Sequence, residues 1–360
     1  MDVSSAPQIV STTLVGPGAW RTLRVALESV VGWVDRVIVI DTTSGAESAE
    51  IEEQARLAAG EKLEIVRWTW IGDFGAARNA ALEFAAYSMR ETGGGWCFWV
   101  DSDEWISLRG DLRREILETD APSLYVAHES GSYSQPRAIR LPCSARWDGR
   151  VHEAIPLAGP LARSAVFAEW DRTPEEWRAR AERDRAVLVE VTKERPNESR
   201  WWYYLGDALS ILERWEETID AWSLCVLATG WNEERAWACY RAADVLSSQL
   251  GRHREAVTYC ARGLALHAGI AELAWMAGLA SWRAGEHEQA IYWSRLALMH
   301  GVDGRAYGSP VALDRRRGFK VPKGYTWGPA EVLRAAYSAL GDSDGAAEAE
   351  ATIERLKALA

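Results

Sequence analysis

The segment from Trp96 to Trp105, WCFWVDSDEW, constrains this chain more than any other. Trp96 to Val100 form an apolar, aromatic run with no turn former, which suits a strand covered on both faces. The run then stops in acid at Asp101, Ser102, Asp103 and Glu104. Side chains alternate along a strand, so Asp101 and Asp103 are expected to point the same way from its carboxyl end. Ligands of open α/β sheets usually sit at that end. Two carboxylates there offer hard oxygens to a magnesium-type or manganese-type cation, which in turn can hold a diphosphate. The plainer alternative is an acidic turn that closes a strand.

The residues before it repeat the theme. Gln8 to Val15 read as an opening strand ended by Gly16-Pro17-Gly18, and Trp20 to Val31 carry a helical stripe at Trp20, Leu23, Leu27, Val30 and Val31. Val34 to Ile40 form a second buried strand ending at Asp41; Ser48 to Ala59 suit a helix and Leu63 to Trp70 a third strand. This alternation predicts a parallel sheet with crossover helices. Asp41 therefore shares the carboxyl edge with Asp101. It either accepts hydrogen bonds from a nucleoside or caps its own turn through Thr42 and Ser44. The next helix opens at Asp73-Phe74-Gly75-Ala76-Ala77-Arg78-Asn79. Arg78 offers a planar fork suited to phosphate or a uracil edge, though an Arg-Asn pair near a helix start is more often a solvated face or a cap.

VDRVIVIDTTS, DFGAARNAALEFA and WCFWVDSDEW, in that order, resemble the family 2 glycosyltransferases of the GT-A fold. They are closest in pattern to the branch of sublancin-type peptide S-glycosyltransferases and other transferases fused to tetratricopeptide repeats. The resemblance covers residues 1–160. It implies that Asp41 and Arg78 hold a nucleotide and that Asp101 and Asp103 bind ribose, diphosphate and metal; Asp73 and Asn79 join them as substrate-binding candidates. The implied donor is a nucleoside diphosphate sugar, with a UDP-sugar expected, and the implied cofactor is Mn2+ or Mg2+. One departure stands at the first strand, where the family has a Lys-Asn-Glu-like turn and this chain has Gly16-Pro17-Gly18. Further on, short strands are expected at Leu124 to Ala127 and Ala138 to Leu141, after a helix from Asp111 to Glu118. Arg146-Trp147-Asp148-Gly149-Arg150-Val151-His152-Glu153 then resembles the family's Gly-Arg-Val-His-Glu stretch. His152 becomes a candidate metal ligand, and Glu153 or Asp148 the base that deprotonates the acceptor in an inverting displacement.

From residue 171 the pattern changes. Thr173-Pro174-Glu175-Glu176 is a capping box with proline at the first helical position, and Pro196 stops the helix it opens. Small residues then recur: Gly206, Thr218 and Cys225; Ala243, Ala256 and Gly263; Gly278, Ala290 and Ala297. A period of about 34 residues with small residues where paired helices touch resembles the tetratricopeptide repeat. A fourth unit follows an insertion around Gly304 to Trp327 that holds Arg315, Arg316, Arg317, Lys320 and Lys323. That insertion is either a solvated loop or a basic edge near an anionic acceptor or the diphosphate. The expected fold is thus an α/β GT-A-type, Rossmann-like transferase domain (1–170) followed by an all-α repeat solenoid (171–360).

Repeats of this kind present a concave face to peptides or protein partners. The expected acceptor is a peptide or protein; a saccharide, lipid or nucleobase acceptor, or a non-catalytic nucleotide-binding scaffold, are the alternatives. A second copy of the chain is left open as a partner. A net charge of −11 gives no argument for nucleic acid or anionic membrane as a partner. Five cysteines without a CxxC pair fit buried thiols in a reducing compartment. Neither a signal peptide nor an apolar run of about 20 residues is seen, so the cytoplasm is expected.

Overall fold

The apolar runs of the first half become strands, the central ones with both faces covered. β1 (Gln8–Val15), β2 (Arg36–Asp41), β3 (Leu63–Arg67) and β4 (Gly95–Trp99) lie in the order β3-β2-β1-β4, every pair parallel. Their side chains divide by the period of two. Ile9, Val37, Val39, Trp96 and Phe98 pack with Leu23, Leu27 and Val30 of α1 (Trp20–Val31) and Ile51 and Ala55 of α2 (Gly45–Ala59). Val10, Ile38, Ile40, Cys97 and Trp99 pack with Ala81, Leu82 and Ala85 of α3 (Phe74–Ser88). With both faces occupied by helices, the carboxyl edge is where the acidic groups that end β2 and follow β4 are placed.

The computed structural model describes residues 8–131, 133–301 and 321–358. Beyond β4 the sheet adds antiparallel strands to the parallel set that the first alternation predicts. It continues through β7 (Ser134–Leu141), β6 (Ser123–His128), β8 (Leu161–Glu169) and β5 (Glu104–Leu108), giving an eight-stranded mixed sheet. The β4–β7, β6–β7 and β5–β8 pairs are antiparallel. A short helix, α4 (Leu112–Glu118), starts at an Asp111 cap whose carboxylate accepts from the Arg114 amide at 2.9 Å. The acidic stop after β4 is therefore also a start. Glu104 opens β5, whose partner β8 lies far along the chain, and short-range periodicity does not register such a pairing.

The chain divides into two compact units, Met1–Arg172 and Thr173–Ala360. The second opens with α5 (Pro174–Glu194), where Thr173 and Glu176 form the reciprocal capping box. Helix pairs follow: α6 (Ser199–Ile211) with α7 (Trp215–Leu227), α8 (Asn232–Ser248) with α9 (His253–Leu266), and α10 (Ala271–Arg283) with α11 (His287–His300). After the short α12 (Pro322–Tyr325) come α13 (Gly328–Leu340) and α14 (Ser343–Lys357). The recurring small residues sit at close approaches: a Cβ on Gly206 would lie 2.3 Å from Trp222 Nε1, and one on Gly278 2.5 Å from Ser294 Oγ. Of the basic insertion, Arg315, Arg316, Arg317 and Lys320 fall outside the described residues; Lys323 pairs with Glu331 at 2.8 Å. All five cysteines are free, and Cys97, Cys225, Cys239 and Cys260 are buried. Among the described residues no helix is long and apolar enough to cross a membrane.

Asp41 closes β2 from the inside. Its Oδ1 accepts from the Thr43 amide at 2.8 Å and the Thr43 hydroxyl at 2.7 Å, while Oδ2 accepts from the Ser48 hydroxyl. Burial works to raise its pKa, but the hydrogen bonds from Ser48 and Thr43 outweigh it and hold the carboxyl below its usual value. The partners differ from the expected Thr42 and Ser44 because the chain turns directly into α2, which brings Ser48 back to the strand end.

Gly206→Ala is expected to lower the urea midpoint of the repeat unit. Alanine gains about 1 kcal/mol over glycine in a helix interior, but overpacking costs roughly 1–3 kcal/mol. Overpacking should win here, because Trp222 is fully buried and its indole N–H donates to the Tyr203 carbonyl at 3.2 Å. An unchanged or higher midpoint would show that the ring can yield. Asp41→Asn should cost about 1–3 kcal/mol at neutral pH. Because the folded pKa is depressed, this contribution is complete above the unfolded value near 3.9 and is lost as pH falls through the folded value. Thermal melts of the two proteins should thus differ most at neutral pH and converge in acid; a gap independent of pH would remove the carboxylate from the account.

Candidate functional site

The site forms where three segments meet at the carboxyl edge of the sheet: the end of β4, the first turns of α3 and the loop 146–154. β4 ends at Trp99, and the Val100 amide still donates to Thr12 O at 3.2 Å. The chain then turns tightly, with the Glu104 amide donating to Asp101 O at 3.1 Å. Asp101 and Asp103 lie in this turn rather than in the strand, so strand alternation does not orient them. Their carboxylates go to different arginines.

Asp101 meets Arg78 in a two-pronged ion pair, Nη1 to Oδ1 at 2.9 Å and Nη2 to Oδ2 at 3.0 Å. The remaining edge of the same guanidinium donates through Nε to Glu153 Oε1 at 2.5 Å. Burial works against the Arg78 charge, but Asp101 and Glu153 together outweigh it and hold the group more firmly protonated than usual. The Trp147 ring centroid lies 5.0 Å from the Arg78 guanidinium carbon, and Trp99 packs edge-on against Trp147 at 5.2 Å. Arg78, Asp101 and Glu153 are all mostly shielded from solvent, with side-chain exposures of 15%, 28% and 12%.

Local sequence explains how Glu153 arrives there. Asp73 caps α3 by accepting from the Ala76 amide at 2.8 Å. The next two amides, of Phe74 and Gly75, donate to Arg150 O at 2.9 Å and Gly149 O at 3.1 Å. A Cβ at position 75 would stand 2.7 Å from Gly149 O, so glycine is what lets the loop approach. Asn79 clasps Trp147 with its whole amide, Nδ2 donating to Trp147 O at 2.9 Å and Oδ1 accepting from Trp147 N at 2.8 Å. Asp148 and Ala154 exchange two backbone hydrogen bonds, both 2.9 Å, which closes the loop and leaves Glu153 beside Arg78.

The expected residues thus separate. Arg78, Asp101 and Glu153 are brought together. Asp73 is a helix cap and Asn79 a clasp on the loop. Asp41 accepts hydrogen bonds from Thr43 and Ser48. Asp148 contributes the backbone bridge. His152 adopts a positive φ of 50° next to Glu153. Asp103 pairs with Arg172, which also reaches Glu169 at 3.1 Å. Among the described residues no group of three His, Cys, Asp or Glu is placed to hold a metal ion, so Asp101, Asp103 and His152 are not gathered as a ready-made ligand set.

Three residues at the acidic turn carried no expectation of a site role: Glu104, which ends it, and Arg137 and Arg172 beside it. Arg137 of β7 is fully buried, donating through Nη2 to Glu104 Oε1 at 2.7 Å, with Nη1 2.6 Å from Oε2. Burial pushes the Glu104 carboxyl above its usual range, against the pull of Arg137. An arginine inside an otherwise strand-like run was the visible signal, but its partner lies in another strand.

Residues 17–128 match the model of Glycosyl transferase family 2. The SPbeta prophage-derived glycosyltransferase SunS of Bacillus subtilis (strain 168) is 23% identical over 217 residues, covering 56% of this chain and 49% of that protein. Glycosyltransferase SunS of Bacillus phage SPbeta matches with the same figures. The chain thus spans about half the length of the curated relatives it matches. Among solved structures, MamA 41-end from Desulfovibrio magneticus RS-1 is 18% identical, covers 51% of this chain and 94% of that one, and has a TM-score of 0.36. A Podosopora anserina putative kinesin light chain with nearly identical TPR-like repeats is 16% identical, covers 51% and 88%, and has a TM-score of 0.38. The repeat architecture itself rests on the chain's own helix pairs and the small residues between them. The first unit is thus similar to family 2 glycosyltransferases over residues 17–128, and the helix pairs of the second unit form TPR-like repeats.

Proposed function

We propose that the chain transfers a sugar from a nucleoside diphosphate donor, a UDP-sugar in the first instance, to a peptide or protein acceptor, with inversion. The observation that carries this is the sharing of one arginine, Arg78, between Asp101 and Glu153 at the carboxyl edge of the sheet. A donor diphosphate offers Arg78 a second anionic partner suited to its fork. As Arg78 turns to the diphosphate, Glu153 is freed to take the acceptor's proton while the acceptor attacks the anomeric carbon and the bond to the diphosphate breaks. Glu153 is preferred to Asp148 as this base because its carboxylate lies against Arg78, the same guanidinium that Asp101 holds.

Asp101 and Asp103 would hold a divalent cation, Mn2+ or Mg2+, with His152 as a third candidate. Hard carboxylate oxygens fit such an ion, and magnesium commonly takes only one or two protein carboxylates, with phosphate and water completing its shell. When bound, the ion would supply positive charge against the departing diphosphate. Both carboxylates are paired with arginines here, so these residues would have to exchange partners to receive it. Acceptor recognition is assigned to the repeats, because helical repeats commonly bind peptides.

Titration calorimetry with UDP and GDP, in Mn2+ and in EDTA, tests the donor site. Arg78→Ala is expected to weaken UDP binding by about 10- to 100-fold, since charge-assisted hydrogen bonds contribute roughly 1.5–3 kcal/mol. Glu153→Gln should keep UDP affinity but lose transfer to the acceptor, scored by intact-protein mass spectrometry. If neither nucleotide binds under any condition the donor assignment fails, and binding insensitive to EDTA removes the cation alone.

A further inference from the structure

Glu104 and Arg137 form a buried ion pair that the proposed chemistry leaves unused. Arg137 is 0% exposed and Glu104 6%. Phe167 of β8 lies against the guanidinium, its ring centroid 4.2 Å from the central carbon. Gln135 Oε1 accepts from Arg137 Nη2 at 3.0 Å, and Arg137 Nε has no hydrogen-bond partner among the described residues. Removing two charges from water costs several kcal/mol per ion, and apolar replacements of such pairs are often neutral or stabilising. Stability is therefore a poor reason for this pair. Its geometry suggests a better one: Glu104 Oε2, on the same carboxylate that Arg137 grips, accepts from the Asp101 amide at 3.2 Å.

We propose that the Glu104–Arg137 pair is a positioning device for the acidic turn, holding Asp101 where it meets Arg78 and so setting donor affinity. The carboxylate of Glu104 bridges the turn to β7, a strand hydrogen-bonded directly to β4. Without that bridge, the Asp101 amide loses a charged acceptor and the start of β5 loses its tie to the middle of the sheet. The opposite side of the turn keeps separate supports: the Trp170 amide donates to Asp103 O at 3.0 Å, and Arg172 pairs with Asp103. Loss of the pair should accordingly loosen the turn without unfolding the sheet. The affinity part of this inference rests on the donor site proposed above; the turn part does not.

The test uses the full-length chain with Glu104→Gln and Arg137→Met combined, which removes both charges at similar volume. Urea unfolding should show a midpoint equal to or above that of the unchanged protein. Hydrogen exchange should show faster exchange at Asp101 to Trp105 with β1 and β2 still protected, and UDP affinity should fall at least about tenfold, as expected when a charged contact is misplaced. Arg137→Lys, which keeps one charged contact, should recover part of both losses. Unchanged exchange in the turn overturns the proposal, as does wild-type UDP affinity in the folded double variant. Should the double variant fail to fold, Arg137→Lys decides by the same two measurements. If the unchanged protein binds neither UDP nor GDP, the donor reading falls while exchange still decides whether the pair holds the turn.

Discussion

Burial of the central strands on both faces is the constraint from which the first unit follows. β1, β2 and β4 place apolar side chains alternately toward α1 and α2 and toward α3. A carboxylate in the middle of such strands would be stripped of water with no partner to compensate, so acid appears where they end. Asp41 and Asp101 are the two results, and they have different fates. Asp41 is 1% exposed and hydrogen-bonded to Thr43 and Ser48 that follow it. Asp101, two residues past the end of a strand in the middle of the sheet, reaches an arginine from a different segment.

Charge around the acidic turn is arranged in pairs. Asp101 takes Arg78, Asp103 takes Arg172 and Glu104 takes Arg137. The three pairs differ in surroundings, and surroundings decide what each can do. Glu104–Arg137 is sealed in, so neither partner can be exchanged without stranding a charge. Arg78 and Arg172 retain side-chain exposures of 15% and 19%, close enough to solvent for an anionic ligand to compete for them. Neighbouring acids in the sequence thereby divide into one sealed with its arginine and two whose arginines stay partly open to solvent.

The repeat unit solves a different problem with simpler means. Its helices carry aromatic bulk, and small residues let the partners approach: Gly206 beneath Trp222, Gly263 against Leu273 and Cys239, Gly278 beside Ser294. Ala243, Ala256, Ala290 and Ala297 are fully buried between the helices. Because each such approach lies within a repeat or between neighbours, packing here is local in sequence, and a period in the residues is enough to reveal it.

Elements with local causes were legible in the residues alone. β1 and α1 fall at Gln8–Val15 and Trp20–Val31, where apolar period and turn residues place them, and the capping box at Thr173 opens α5. The family resemblance, carried by three short motifs, is of the same kind. Strands β5 and β8 were not legible, nor was the mixed character of the sheet, since their pairing joins distant segments. The partners of the site's charges were equally hidden: Arg78 lies 23 residues from Asp101 and 75 from Glu153, Arg137 lies 33 from Glu104, and Arg172 lies 69 from Asp103. Residue type and spacing announce that a carboxylate needs a partner. Which arginine answers is decided only when the sheet brings distant segments within about 3 Å, the range over which a charged hydrogen bond acts.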